Sequence, residues 1–363
     1  MALALGIIGL PNVGKSTLFN ALAGTAVACS NYPFCTVEAN VGVVPVPDER
    51  LTRLGELLEP EKLTPTSVRF VDIAGLVRGA NLGEGLGNRF LANIRDVDAV
   101  AHVVRCFEDQ SVAHVEGGTD PERDIDIIET ELKLADLETA ERNLEKAAKD
   151  AGRGDKAAGE LAASLERARD ALDSGVRIRD AGLSDADRER LETYRFLTDK
   201  EMLFVANIGE DQLEESGRWA ERLASATGEP RWKVVPLAAS LEAELASLPD
   251  GDRNEFVSGW GLSEAGLPRL IRAGYRLLEL VTFFTIKGKE VRAWTARGGA
   301  TALEAAGTIH TDMADGFIRA EIVPFENLVE AGSMHAARER GEVRTEGRDY
   351  EIQDGDVMLV RFN

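Results

Sequence analysis

The sequence is poor in cysteine, in positive charge and in long apolar runs. Only three cysteines occur in 363 residues, Cys29, Cys35 and Cys106, and their spacing builds neither a disulfide framework nor a metal site. That scarcity fits a reducing cytoplasm. Lysine and arginine number 42 against 63 aspartates and glutamates, a formal net charge of −21, which disfavours non-specific binding to bare DNA or to an anionic membrane surface. Docking on a ribonucleoprotein through a local basic patch is left open. The longest apolar runs, such as Ala99–Val104 and Leu203–Ala206, fall far short of the roughly 20 residues of a membrane span. The amino end is apolar but lacks the basic residues of a secretory signal, so it is expected to be mature protein. What remains, 44% apolar and 29% charged residues, describes a soluble globular chain with two or three domains.

The first residues to carry chemistry are Gly9-Leu10-Pro11-Asn12-Val13-Gly14-Lys15-Ser16-Thr17, a phosphate-loop pattern of glycine, four variable residues, then Gly-Lys-Ser. The apolar stretch before it reads as a short buried strand, and Thr17–Gly24 reads as a helix with a glycine stop. That order is what the mechanism needs. Backbone amides of the turn point at one anion, the helix start adds partial positive charge, and Lys15 reaches the outer phosphates. Ser16 supplies a hydroxyl to magnesium.

A second strand, Val68–Asp72, ends in an acidic residue suited to the magnesium, and Gly75 follows with an amide for a γ-phosphate. The glycine-rich stretch from Gly79 to Gly87 reads as a mobile switch. Between the two motifs, Asn31-Tyr-Pro-Phe-Cys-Thr36 holds one well-placed threonine, and Thr36 is the expected second hydroxyl ligand of the metal.

Base recognition belongs to a later strand end, Glu201–Asn207, which runs into Asn207-Ile208-Gly209-Glu210. GTPases carry Asn-Lys-x-Asp there, the aspartate accepting two hydrogen bonds from guanine. Here Ile208 replaces the lysine and Glu210 the aspartate, and an added methylene displaces a rigid bidentate carboxylate by more than about 1 Å. Ala238, in Leu237-Ala238-Ala239-Ser240, occupies the position that closes over the base. Departures at the base with the phosphate machinery intact point to altered base specificity.

These strings, together with Arg105-Cys-Phe107, Glu290–Thr295, Gly316–Glu321 and Asp354–Met358, resemble those of the Obg-like ATPases, the YchF-type subfamily of translation-factor-class P-loop proteins. The likeness covers essentially the whole chain, although the family usually has Ser or Cys where this chain has Ala238. It implies a preference for ATP over GTP, slow hydrolysis, magnesium dependence, and association with the large subunit or the whole ribosome. A monomer is expected.

The expected fold is α/β: a phosphate-loop domain over 1–280 with a mostly parallel sheet, interrupted by a helical insertion over 121–199, and a small C-terminal domain over 281–363. Residues 124–169 carry helical periodicity broken at Gly152-Arg-Gly154, which predicts a coiled-coil-like hairpin of two helices, too polar to hold a second core. Its acidic faces suit either solvent or a partner. Residues 263–280 read as an amphipathic helix. After it, short strands are expected over 281–286, 291–294, 319–322, 350–352 and 357–362, a unit that resembles the family's ubiquitin-like TGS domain. Arg338, Arg340, Arg344 and Arg348 are either scattered surface arginines or a contact with rRNA or a ribosomal protein.

Ras-like enzymes position the attacking water with a glutamine that follows Asp-x-x-Gly. This chain has Leu76 there, which cannot hydrogen-bond water. Two substitutes are visible. Asn12 could coordinate potassium between the β- and γ-phosphates. His114 lies on a glycine-bearing loop where the resembled family also carries a histidine, and it is the candidate replacement for the glutamine beside Lys15. Three function classes follow: a slow ATPase switch on the ribosome, a true GTPase of the ribosome-assembly kind, and a binding module in which hydrolysis is incidental.

Overall fold

The computed structural model describes residues 3–24, 40–73, 86–109 and 111–363. The chain forms two compact units, one of Met1–Gly42 and Arg69–Ala273, the other of Val43–Val68 and Gly274–Asn363. The division expected at residue 280 placed residues 43–68 with the phosphate-loop part. The structure groups that stretch with the C-terminal strands.

Among the described residues, seven strands precede the C-terminal region: β1 (Ala4–Ile8), β2 (Val41–Pro45), β3 (Lys62–Thr64), β4 (Ser67–Asp72), β5 (Ala99–Arg105), β6 (Met202–Asn207) and β7 (Val234–Leu237). Six of them form one sheet in the order β2-β4-β1-β5-β6-β7. β1 runs parallel to β4 and β5, and β6 runs parallel to β5 and β7, which is the mostly parallel sheet expected. Every residue of β1, β5 and β6 is buried. That explains their largely apolar runs, interrupted inside β5 by His102, since parallel strands covered on both faces do not alternate.

The early helices are α1 (Lys15–Gly24), α2 (Glu49–Leu58) and α3 (Leu86–Arg95). The hairpin follows as α4 (Pro121–Ala151) and α5 (Lys156–Asp173). Asp120 starts α4 by accepting from the Arg123 amide with Pro121 behind it, and Asp155 caps α5 through the Ala158 amide; both carboxylates satisfy amides that a helix start leaves open. The turn between them needs Gly154, at φ +94°.

One expectation for the hairpin is corrected. Ala140, Ala147, Leu165, Ala168, Leu172, Ile178, Leu183, Leu191 and Phe196 form a buried core of its own. Alanines hide its apolar character because they let the helices approach closely, and the helix α6 (Asp185–Leu191) and Phe196 close the open side. Asp187 anchors that closure. It accepts from Ser164 Oγ at 2.7 Å, from Ser184 Oγ at 2.7 Å and from Arg167. Asp136, fully buried on α4, accepts from the Leu197 and Thr198 amides at 2.8 and 2.7 Å and from Thr198 Oγ1 at 2.7 Å.

The helices α7 (Ser216–Thr227), α8 (Ala239–Ser247), α9 (Asp250–Gly259) and α10 (Gly266–Leu277) come next; α10 is the amphipathic helix read from the sequence. The second unit holds β8 (Leu280–Lys287), β9 (Glu290–Arg297), β10 (Phe317–Pro324), β11 (Arg344–Glu346) and β12 (Asp356–Phe362). With β3 they form a six-stranded sheet ordered β11-β10-β12-β8-β9-β3. β3 pairs in parallel with β9, Leu63 against Val291. Leu51 and Leu54 of α2 pack with Phe284, Val291, Ala293, Val323, Leu328 and Val357. The strand expected over 350–352 is absent. Glu351 makes one isolated bridge to Thr301, and Ile352 is buried with its amide on the Ala300 carbonyl, so its apolar character marks a core contact rather than a strand.

Each arginine expected in the basic tail has an internal partner. Arg338 binds Glu321, Arg340 the Glu330 carbonyl, Arg344 the Tyr350 hydroxyl and Arg348 the Phe317 carbonyl. No helix among the described residues is long and apolar enough to cross a membrane.

Candidate functional site

The phosphate-loop residues join β1 to α1, so strand, turn and helix stand in the order that anion binding needs. Gly14 has φ +93°, and a Cβ there would collide with the Asn207 side-chain amide. Asn12 sits in the left-handed region at φ +63°, a conformation that asparagine tolerates better than most residues. Val13 is buried, while Ser16 and Thr17 are exposed at the start of α1.

Lys15 Nζ donates to Asp72 Oδ1 at 2.6 Å, with their side chains 10% and 21% exposed. The end of β4 therefore lies within one hydrogen bond of the loop, as a shared phosphate and metal site requires. The Ser16 hydroxyl and the Asp72 carboxylate are hard oxygen donors, which fit magnesium held mainly by nucleotide phosphates and water. Thr36, Gly75 and Leu76 lie outside the described residues.

The residues expected to read the base gather at the ends of β6 and β7. Asn207 is buried; its Nδ2 donates to the Val13 carbonyl at 2.8 Å, and its Oδ1 accepts from the Ala239 amide at 2.9 Å. One side chain thus ties the phosphate loop to the start of α8. Ile208 is buried with its amide on the Leu237 carbonyl at 2.9 Å. Glu210 Oε1 accepts from Ser240 Oγ at 2.9 Å, and Ala238 is buried beside them. Ser240 was quoted in the sequence without a role; its contact with Glu210 is the feature that the strings did not reveal.

His114 is engaged at both ring nitrogens. Nε2 lies 2.8 Å from Asp124 Oδ2, and Nδ1 accepts from the Glu116 amide at 3.1 Å. The loop that carries it approaches the phosphate loop, where Asn12 Nδ2 donates to the Ala113 carbonyl at 3.1 Å.

Arg105 enters the sequence only as part of a family-like string, and its role in holding the following loop was not legible there. It is 2% exposed, stacks 4.5 Å from the Phe107 ring centroid, and donates to the carbonyls of Phe107, Asp109 and Val112 at 3.2, 3.0 and 3.1 Å. The guanidinium fork spans the loop from inside. The signal was an arginine closing a buried strand that is apolar but for His102.

The chain is 49% identical over 363 residues to the Haemophilus influenzae protein named ribosome-binding ATPase YchF, covering 100% of both. The chain belongs to the YchF family. The YchF protein of Bacillus subtilis, also named a ribosome-binding ATPase, is 46% identical with 100% of each chain covered. The solved structure of the Schizosaccharomyces pombe YchF GTPase superposes with a TM-score of 0.89 at 34% identity, covering 99% of this chain and 98% of that one. Residues 280–363 match the family model of the YchF C-terminal region, described as a protein of unknown function, and residues 4–150 match that of the 50S ribosome-binding GTPases. The resemblance read from the motif strings therefore holds at the level of the YchF family, and so does the α/β phosphate-loop fold with its helical insertion.

Proposed function

We propose that this chain is an Obg-like ATPase, a slow ATP hydrolase that works as a nucleotide-dependent switch on the ribosome in the cytoplasm. One observation carries the reading: an intact phosphate and metal corner, Lys15 on Asp72, stands beside a base corner from which the guanine-reading Lys-x-Asp is missing. Full-length likeness to proteins named ribosome-binding ATPase supports it.

In this reading Asn12 to Thr17 wrap the phosphates, with Lys15 on the outer ones. Ser16, Thr36 and Asp72 attend magnesium, and Gly75 turns its amide to the γ-phosphate. Asn207, Ile208, Glu210 and Ala238 shape the base corner, with Glu210 set by Ser240. Asn12 faces potassium through its amide oxygen. His114 serves hydrolysis in place of the glutamine that Leu76 displaces. The protein acts as a monomer. Its C-terminal region is a ubiquitin-like TGS domain, and that domain and the hairpin carry the ribosome contact. The inward partners of Arg338, Arg340, Arg344 and Arg348 mean that they reach rRNA only by exchanging those contacts. A GTPase reading keeps some weight because the fission-yeast relative is named a GTPase.

Lys15→Ala tests the loop. The variant should fold and lose ATP binding, because Lys15 serves phosphates and not the core; binding within about threefold of the parent would contradict the assignment. The parent should turn over at about 10⁻⁴ to 10⁻² s⁻¹, the range of switch proteins without an activator.

A further inference from the structure

The contacts of His114 leave it nothing to offer a water molecule. Its side chain is 5% exposed. Nδ1 accepts a backbone N–H from Glu116, so that nitrogen is unprotonated and the ring proton sits on Nε2, donated to Asp124 Oδ2 at 2.8 Å. Asp124 is itself fixed. Its side chain is 2% exposed, and its other oxygen accepts from Arg123 Nε and Nη2 at 3.3 and 3.1 Å. Arg123 also holds the loop that follows His114, through the carbonyls of Glu116 at 3.4 Å and Gly118 at 2.6 Å. Arg105 holds the part that precedes it.

We propose that Asp124 is a positioning residue that parks His114 in a resting place, so that breaking one imidazole–carboxylate contact releases the ring for hydrolysis. The inference rests on the reading that His114 serves hydrolysis. A route for release is present. Asn12 of the phosphate loop donates to the carbonyl of Ala113, the residue before His114, so an arriving nucleotide that draws on Asn12 loosens the chain next to the ring. The chemistry is ordinary hydrolysis: a water oxygen bonds to the γ-phosphorus, the bond from that phosphorus to the bridging oxygen breaks, and the proton lost by water goes to the released phosphate or to solvent. Asp124 touches none of these atoms. It sets how often His114 is present to orient the water.

Steady-state ATP hydrolysis by the full chain with magnesium tests this, with Asp124→Ala, Asp124→Asn, His114→Ala and the Asp124→Ala/His114→Ala double variant. Asp124→Ala should raise kcat by about threefold or more with KM nearly unchanged, because only the population of the reactive arrangement changes. Asp124→Asn keeps the size and one acceptor but loses the charge-assisted bond, so it should give a smaller rise. The double variant should fall to the rate of His114→Ala. An unchanged or lowered kcat in Asp124→Ala overturns the latch, as does a rise that persists without His114. If Asp124→Ala does not fold, an Asp124→Asn rate at or below the parent's overturns it equally. His114→Ala at parental turnover is a different failure: it removes the hydrolytic role of His114 itself. His114→Ala that is slow beside Asp124 variants that are not accelerated leaves that role standing and removes only the latch.

Discussion

The inserted hairpin and the second unit are of similar standing in the fold but are built in opposite ways. The hairpin is contiguous: α4, α5 and α6 follow one another, and their core draws on residues 140–196. The second unit is interleaved. Its sheet ends in β3 and its core takes Leu51 and Leu54 from α2, both from a stretch that lies between the phosphate loop and Asp72 in sequence. A contiguous unit answers only to its own sequence. An interleaved one depends on a segment flanked by two motifs of the nucleotide site.

The sharpest way to break this comparison is to empty the interleaved core. Leu54 is fully buried, so Leu54→Ala should cost about 2–5 kcal/mol, the usual range for a core leucine. Hydrogen exchange should rise in residues 280–297 and 317–324 while residues 124–172 keep their protection. A fragment of residues 281–363, lacking α2 and β3, should not fold cooperatively. A fragment that melts like the parent would make the interleaving ornamental.

The matching change in the hairpin should be smaller and stay local. Asp187→Ala leaves the buried Ser164 hydroxyl and the Ser184 cap without their carboxylate, a loss of about 1–3 kcal/mol. Exchange should quicken across 160–191 and nowhere in β8 to β12.

The smallest effect concerns pH, and two hairpin carboxylates give it opposite signs. Burial pushes Asp136 up to about 6, against the amides of Thr198 and Leu197, the Thr198 hydroxyl and the charge of Arg95. The folded form thus holds a proton that the unfolded form releases near its ordinary value of about 4. Stability from this group is present below that value and is lost as pH rises through about 6. Hydrogen bonds from Arg167, then Ser164, hold Asp187 far below the carboxylate range. Its contribution is present above that range and is lost as pH falls through it. Thermal melts of Asp136→Asn between pH 4 and 6 should lack the falling component that the parent shows. A parallel pair of curves would contradict the assignment.

The same contrast explains what the sequence made legible. Parallel strands β1, β5 and β6 announced themselves as apolar runs ending in motif residues, and the hairpin by helical spacing broken at Gly152 and Gly154. Leu51 and Leu54 stand at helical spacing, but no element was expected there, and nothing local says which sheet such a helix will cover. β3 has three residues, one of them buried, too short for a period-two pattern. The hairpin's own core was missed because Ala140, Ala147 and Ala168 look neutral in composition while packing tightly. At the site, contiguous loops were readable, whereas Asn207 on Val13, Ser240 on Glu210 and Asp124 on His114 join residues far apart or of common type. Such pairs appear only when the fold brings them together.

In the proposed function the phosphate corner is kept while the base corner has turned away from guanine. Isothermal titration of the full chain with ATP and with GTP, each with magnesium, tests it most directly. ATP should bind about tenfold tighter, roughly 1.4 kcal/mol. Equal affinities, or tighter binding of GTP, would contradict the account and return the chain to the GTPases.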